Sequence, residues 1–171
     1  MERGKIVFLN GVTSSGKTSI VDAIQSKSEV FYYVVANDLF EQMIGDTYLQ
    51  EDYWKYLSDV IWMMYRTARL FSDCGKNVLI DGILVERPEL KPHYEQVEEI
   101  FKGYPLYIVE VYCPLEICRQ RNLERGDRSV DQSDWQHEIM AEHIPYLCSV
   151  DTSVNTPDQC AAKILESLNH T

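Results

Sequence analysis

The chain has 171 residues, a length that suits one folded domain, and 45% of them are hydrophobic. Sixteen Lys and Arg residues against 27 Asp and Glu residues give a net charge of −11. The field of such a molecule repels nucleic acid and anionic lipid, so we expect neither as a partner. Any anionic ligand must then be held by a local basic cluster. The five cysteines form no C-x-x-C pair, and we expect reduced thiols. The N-terminal residues do not match a signal peptide. Together these observations predict a cytoplasmic protein.

The first predicted strand, residues 6–9, runs directly into a glycine-rich loop. Residues 11–18 match the phosphate-loop pattern G-x-x-x-x-G-K-[ST]. In such a loop, backbone N–H groups converge on phosphate oxygens, the lysine reaches the β- and γ-phosphates, and the last hydroxyl faces Mg²⁺. A Gly/Ser turn without a ligand is disfavoured, because an apolar strand precedes the loop and a helical pattern follows it. The sequence therefore predicts a nucleoside triphosphate site formed by Gly11, Val12, Thr13, Ser14, Ser15, Gly16, Lys17 and Thr18.

Short apolar runs alternate with helical patterns along the rest of the chain. Further strands are predicted at residues 32–36, 78–80, 106–112 and 147–150. One helix is predicted over residues 54–71, with its end near Gly75. A second is predicted to begin at a capping box at Ser133 and to end at Pro145. A third is predicted over residues 157–168, with Thr156 as its N-cap. This alternation indicates a parallel sheet covered on both faces, in one domain spanning residues 1–171.

Two of the predicted strand ends carry aspartates, and ligands of open parallel sheets bind where the strands end. Asp81 is predicted to contact Mg²⁺ together with Thr18, and Asp38 to orient or deprotonate the oxygen that attacks a phosphoryl group. Two alternatives stay open. Asp38 also fits a helix N-cap with Glu41 at the third helical position, and Asp81 also fits a turn before Gly82.

Half of the arginines lie in one short segment, residues 119–128. Arg121 and Arg125 are one helical turn apart, and Arg128 follows a predicted helix end at Gly126. We expect these guanidinium groups to meet the triphosphate charge from a lid at about residues 119–132, with Arg121 binding the nucleotide and Arg125 and Arg128 acting in catalysis. The alternative is a solvated helix face with ordinary ion pairs.

Two further groups of residues receive no site role at this stage. An aromatic and methionine-rich segment has helical spacing, which favours core packing over an apolar substrate pocket, at Trp54, Trp62, Met63, Met64 and Tyr65. The four histidines have neither metal-ligand nor catalytic-triad spacing.

Taken together, these motifs resemble the chloramphenicol phosphotransferase family of P-loop kinases. The matching pieces occur in the family's order along nearly the whole chain: residues 6–11 and 14–18, 37–39, 78–81, 125–128 and 150–153. The resemblance implies an α/β P-loop kinase fold of the nucleoside/shikimate-kinase type, with three layers, a five-stranded parallel sheet and an Arg-rich lid. It also implies ATP as the donor and transfer of the γ-phosphoryl group to a hydroxyl of a small molecule.

The resemblance also carries roles onto single residues. It implies Asp38 as the base that takes the hydroxyl proton and Arg125 and Arg128 as phosphate ligands. It also implies that the stretch at residues 151–156, which includes Thr152, forms the edge of the adenine pocket. Two positions depart from the family: Gly82 stands where the drug-modifying enzyme carries a second acid, and Leu147 follows Tyr146 where Tyr-Asp is commoner.

Chloramphenicol, at its primary hydroxyl, is therefore one candidate acceptor among others. The alternatives are a metabolite or nucleotide kinase of the shikimate or gluconate type and a non-catalytic nucleotide-binding switch. Outside the loop and the lid, few basic residues are candidates to hold an anionic acceptor, chiefly Arg66 and Arg69, which favours a neutral or zwitterionic acceptor. No Asn-Lys-x-Asp segment for guanine recognition occurs, which disfavours a GTP switch.

Overall fold

The computed structural model describes residues 2–87, 93–126, 129 and 131–171. Its strands are β1 (Ile6–Asn10), β2 (Tyr32–Ala36), β3 (Asn77–Gly82), β4 (Leu106–Tyr112) and β5 (Cys148–Asp151). Its helices are α1 (Lys17–Lys27), α2 (Asn37–Glu41), α3 (Asp46–Asp73), α4 (His93–Ile100), α5 (Leu115–Arg125), α6 (Gln132–Ile139) and α7 (Pro157–Asn169). The strands form one parallel sheet in the order β2-β3-β1-β4-β5, so the predicted five-stranded parallel sheet is confirmed.

The central strand β1 is buried along its whole length, as its uninterrupted apolar sequence predicts for a parallel sheet covered on both faces. Alternate residues of a strand point to opposite faces. Ile6 and Phe8 belong to the cluster formed with α3 and α4, whereas Val7 and Leu9 belong to the cluster formed with α1 and α7. The protein therefore has three layers, with the sheet between two layers of helices.

The long helix α3 begins before the predicted helix and contains a kink. Asp52 has φ −155° and ψ 84°, which are not helical values, and its carboxylate accepts a hydrogen bond from Lys55 N–H at 3.2 Å. A side chain that accepts such a bond acts as an N-cap. The sequence pattern from Trp54 onward therefore corresponds to the part of α3 that follows the kink.

The prediction for α6 was wrong at both ends. Ser133 is fully buried inside the helix, where its hydroxyl accepts a hydrogen bond from Asn122 Nδ2 at 3.1 Å instead of capping the first turn. The helix ends at Ile139, well before Pro145, because the backbone that follows pairs with another segment: Glu86 N–H donates to Ile139 O, and Ala141 N–H donates to Leu84 O. Tertiary contacts thus overrode the local helix signals.

No helix in the described ranges has both the length and the apolar composition needed to span a lipid bilayer.

The start of α7 confirms its sequence prediction and provides a test of stability. Thr156 Oγ1 accepts from Gln159 N–H at 3.3 Å, and Gln159 Oε1 accepts from Thr156 N–H at 2.9 Å. Thr156→Ala removes the side-chain cap and should lower the free energy of unfolding by about 1 kcal/mol. Urea denaturation measures this change. Glu166→Ala, at an exposed position inside the same helix, should change the value by less than about 0.5 kcal/mol, and an equal loss in both variants would contradict the capping role.

Candidate active site

The carboxyl ends of three neighbouring strands bring the predicted phosphate and carboxylate residues together. The strand register places Asp81 of β3 beside Leu9 of β1 on one side and beside Ala36 of β2 on the other. The phosphate loop leaves β1 at this edge, and Asp38 lies two residues beyond the end of β2. The cavity at this edge, of about 1110 Å³, is lined by both aspartates and by Lys17 and Thr18.

The phosphate loop forms part of the wall of this cavity. Gly16 has φ +96°, a value that side chains rarely tolerate, and a Cβ there would lie 3.3 Å from Thr152 Cγ2. Val12 packs into a small apolar cluster with Cys113 and Cys118, and Ser15 is fully buried. Val12 and Ser15 are absent from the cavity lining, whereas the other six predicted loop residues line it: Gly11, Thr13, Ser14, Gly16, Lys17 and Thr18.

Lys17, Thr18 and Asp81 form one connected group. Lys17 Nζ donates to Gly11 O at 2.7 Å and to Val12 O at 2.9 Å, and it lies 3.9 Å from Asp81 Oδ1. Thr18 Oγ1 donates to the other carboxylate oxygen, Asp81 Oδ2, at 3.1 Å. The hydrogen bond from Thr18 to Asp81 brings together the two residues predicted to face the metal.

This oxygen pair fits Mg²⁺ as kinases bind it. Mg²⁺ takes oxygen ligands and is usually held by one or two protein groups, with phosphates and water filling the other positions. The described residues contain no group of three or more His, Cys, Asp or Glu side chains that could hold a metal ion. A metal ion at this edge would therefore need oxygen ligands from phosphate or water as well. Thr18 and Asp81 would hold the ion, which would neutralise phosphate charge when bound.

Asp38 is not the N-cap of α2, so the capping alternative was wrong. The helix begins two residues earlier than that alternative requires, with Ala36 at the N-cap position and no side-chain cap. Asp38 is therefore the second helical residue, and it lines the cavity. The role of Asp38 as the base stays a prediction.

The arginine segment divides into residues with different surroundings. Arg121 donates from Nη1 to Ser14 O at 3.2 Å and from Nη2 to Thr152 O at 2.9 Å, which joins the phosphate loop to the turn after β5. Arg125 lines the cavity, and α5 ends at Gly126 as predicted. Arg119 instead forms an ion pair with Asp134 of α6. The fourth arginine, Arg128, lies outside the described residues, as does part of the predicted lid.

Two further polar residues connect the phosphate loop to the helices beside it. Ser14 Oγ donates to Asn122 Oδ1 at 2.6 Å, and the amide nitrogen of Asn122 donates to Ser133 of α6. Thr13 N–H donates to Gln136 Oε1 at 2.6 Å. Sequence reasoning missed Asn122 and Gln136, because a single amide residue in a polar helix gives no local signal for a distant contact.

The far side of the cavity has a different chemistry from the phosphate side. Its lining is aromatic, aliphatic or uncharged and polar: Tyr53, Trp54, Leu57, Ser58, Ile61, Trp62, Ile83, Val85, His93, Gln96 and Trp135. Trp54 and Trp62 thus face the cavity, whereas Met64 and Tyr65 are fully buried in the core and Met63 is exposed. The core interpretation of this helical segment therefore holds for only some of its residues.

His93 is a cavity residue that the sequence gave no reason to select. Its Nδ1 accepts from Val85 N–H at 3.3 Å, so the proton of the neutral ring lies on Nε2, which is 2.7 Å from the Tyr65 hydroxyl oxygen. Burial lowers the pKa of His93 to about 4 and raises the pKa of Tyr65. Both side chains are therefore neutral near pH 7, and they add no charge to this side of the cavity.

Gly82 is required by close packing. A Cβ at this position would lie 3.0 Å from Phe8 Cζ and 3.1 Å from Asn37 Oδ1. Phe8 is fully buried and has little room to move. This chain therefore has no space for the acid that the drug-modifying enzyme carries here, unless neighbouring residues shift.

Comparison with solved structures agrees with this architecture. The APS kinase CysC of Mycobacterium tuberculosis, in complex with AMPPNP and APS, superposes with a TM-score of 0.75 at 18% identity, covering 99% of each chain. A gluconokinase from Sinorhizobium meliloti 1021 gives a TM-score of 0.68 at 15% identity, covering 99% of this chain and 94% of that one. These likenesses confirm the P-loop kinase fold.

Sequence comparison identifies the family. A Mycobacterium tuberculosis H37Rv protein named "Putative O-phosphotransferase Rv2636" is 25% identical over 191 residues, covering 98% of this chain and 83% of that protein. The family model described as "Chloramphenicol phosphotransferase-like protein" matches residues 4–169. The predicted class of enzyme, an ATP-dependent kinase, is confirmed by this family and these relatives. With its phosphate loop, parallel sheet and strand-end aspartates in the expected places, the chain belongs to the chloramphenicol phosphotransferase-like protein family.

Proposed function

We propose that this kinase transfers the γ-phosphoryl group of ATP to a hydroxyl of a neutral small molecule that carries an aromatic or apolar group. Chloramphenicol, at its primary hydroxyl, is the first acceptor to test. The observation that supports this proposal is a single cavity with two chemically different sides. The phosphate loop, the strand-end aspartates and the arginines occupy one side, and the uncharged aromatic wall occupies the other.

The charge distribution of the cavity separates the candidate acceptors. A shikimate-type or nucleotide acceptor is anionic and needs a cation to bind it. The described lining residues of the aromatic side include no Lys or Arg, and the neutral His93 supplies no positive charge there. The nearby Arg87 guanidinium stacks on the Trp54 ring, 4.2 Å from its centroid. An uncharged aromatic acceptor is therefore favoured, because the wall itself offers ring faces and no Lys or Arg to pair with a buried anion.

The charged side would hold the donor. Lys17 would contact the β- and γ-phosphates, Thr18 and Asp81 would hold Mg²⁺, and Arg125 with Arg128 would neutralise charge on the transferred group. Arg121 and Thr152 would lie beside the nucleotide at the turn after β5, where their mutual hydrogen bonds hold them.

The proposed chemistry needs one base. The acceptor hydroxyl oxygen attacks the γ-phosphorus, the bond from that phosphorus to the β–γ bridging oxygen breaks, and ADP leaves with the electron pair. The hydroxyl proton passes to the Asp38 carboxylate. The observation that supports this role is that Asp38 lines the same cavity as the phosphate loop and the aromatic wall.

Asp38→Asn tests the base. The variant should bind AMPPNP as the wild type does, because the change leaves the phosphate loop intact. Turnover should fall on the order of 10² to 10⁴-fold, the usual effect of losing a general base. Calorimetry measures the first quantity and a coupled ADP assay the second. The control is Asp46→Asn, since Asp46 is an acid at the start of α3 that does not line the cavity. This variant should keep wild-type turnover. Wild-type turnover in Asp38→Asn would show that another group is the base.

A thermal-shift screen tests the acceptor class. With AMPPNP present, chloramphenicol and related neutral aromatic alcohols should raise the melting temperature, since ligands that bind only the folded state stabilise it. A chain of this size should gain about 2 to 4 °C for each kcal/mol of stabilisation. Trp54→Ala should abolish the acceptor-dependent part of the shift and keep the part due to AMPPNP. Stabilisation by shikimate, with none by the neutral alcohols, would contradict the proposed acceptor class.

The neutral state of His93 predicts a pH dependence of stability. The pKa of this histidine is lowered to about 4 by burial, so between about pH 4 and 6.5 the unfolded chain binds a proton that the folded chain does not. The free energy of unfolding should therefore fall as the pH drops from 6.5 to 4, by up to roughly 3 kcal/mol from this residue.

Urea denaturation of His93→Gln and the wild type across this pH range measures that contribution. The variant should lose the part of the slope that His93 causes, so the difference between the two proteins should shrink as the pH falls. His170→Gln, at an exposed position at the end of α7, should have the wild-type slope. Parallel curves for His93→Gln and the wild type would show that His93 titrates normally in the folded protein.

A further inference from the structure

The helix α6 lies between the two sides of the cavity and contacts both through adjacent residues. The Trp135 ring packs edge-on against Trp54 of the aromatic wall, with 5.9 Å between the ring centroids. Gln136 Oε1 accepts the Thr13 N–H of the phosphate loop at 2.6 Å. Both residues line the cavity. The group that leaves ATP for the acceptor must cross between these sides, so Gln136 lies beside its path.

The position of α6 is fixed from α5. Asn122 of α5 is buried and donates to Ser133, and Arg119 of α5 donates from Nε to Asp134 Oδ1 at 2.9 Å. Because two consecutive residues of α6 are held in this way, the next two side chains have defined directions. Gln136 is therefore anchored on its own helix and, through Thr13, on the loop.

The hydrogen bond to Thr13 also fixes which end of the Gln136 amide faces the loop. A backbone N–H can only donate, so the atom opposite it must be the amide oxygen. The two hydrogens on Nε2 remain available, and within the described residues Nε2 makes no hydrogen bond. The side chain thus offers a neutral donor group at the cavity wall.

We propose that Gln136 contacts the γ-phosphoryl group of ATP, with Nε2–H donating to a γ-phosphate oxygen while Oε1 keeps its bond to Thr13 N–H. This inference rests on the proposed function, since it takes ATP as the donor. The contact reaches only the terminal phosphate, so it should distinguish ATP from ADP. A neutral amide suits a cavity whose lining also includes the carboxylates of Asp38 and Asp81, because it donates without adding a charge to the site.

Calorimetric titration with AMPPNP and with ADP, each with Mg²⁺, tests the contact. Gln136→Leu keeps the approximate size of the side chain and removes both hydrogen-bonding ends. It should weaken AMPPNP binding by about tenfold to a hundredfold, the usual effect of losing a hydrogen bond to a charged group. ADP binding should change by less than about twofold. Gln136→Glu replaces the donor with a carboxylate and should weaken AMPPNP binding further through repulsion.

The matched control is Gln50→Leu. Gln50 is an exposed residue of α3 that does not line the cavity. Both affinities should stay at wild-type values in this variant. If Gln136→Leu does not fold, Gln136→Asn serves instead, because its shorter amide cannot reach both Thr13 and the phosphate, and the same loss of AMPPNP affinity is expected.

Three results would overturn the proposal. Equal weakening of AMPPNP and ADP would show that Gln136 only braces the loop, and tighter binding of both would show that its side chain competes with the nucleotide. Unchanged affinities would remove it from the site. If the wild-type protein binds no nucleotide, the proposed function itself is contradicted. The experiment therefore distinguishes failure of the Gln136 contact from failure of the proposed function.

Discussion

The pairing of β1 with β3 is the constraint on which the site depends. Because both strands are parallel and in register, Leu9 lies beside Asp81, and the loop that leaves β1 therefore begins next to that carboxylate. Asn10, the last residue of β1, is fully buried and holds this edge: its Oδ1 accepts from Leu84 N–H and its Nδ2 donates to the Tyr146 hydroxyl, both at 2.8 Å. A shift of register would move Asp81 away from the phosphate loop and Thr18, so the backbone pairing of the sheet sets the geometry of the candidate site.

The parts of the protein that were predictable are those encoded by neighbouring residues. The phosphate loop and the capping box at Thr156 are local patterns whose geometry follows from a few residues in sequence. The strand ends were predictable for a similar reason, since the apolar run of β1 stops where the loop begins. Asp81 could be placed from the general rule that ligands bind where parallel strands end.

The parts that sequence reasoning missed depend on contacts between distant segments. Ser133 fits a capping box, yet a buried bond from Asn122 places it inside α6. His93 keeps its neutral form well below pH 6.5 because the fold buries it, with Tyr65 as its neighbour, which lowers its pKa to about 4. The helical spacing around Trp54 predicted core packing. A helix of this length passes from the core to the cavity, so side chains with the same spacing pack in the core at one end and line the cavity at the other. Such outcomes follow from tertiary packing, to which short patterns are insensitive.

The tight fit around Gly82 limits how this cavity can diversify. A side chain introduced there would press against the Phe8 ring, which belongs to the buried cluster formed by the sheet and α3. The ring would have to give by a few tenths of an ångström to admit it. A substitution at this point of the cavity wall is therefore felt in the core behind it, which couples the shape of the cavity to the packing of the sheet.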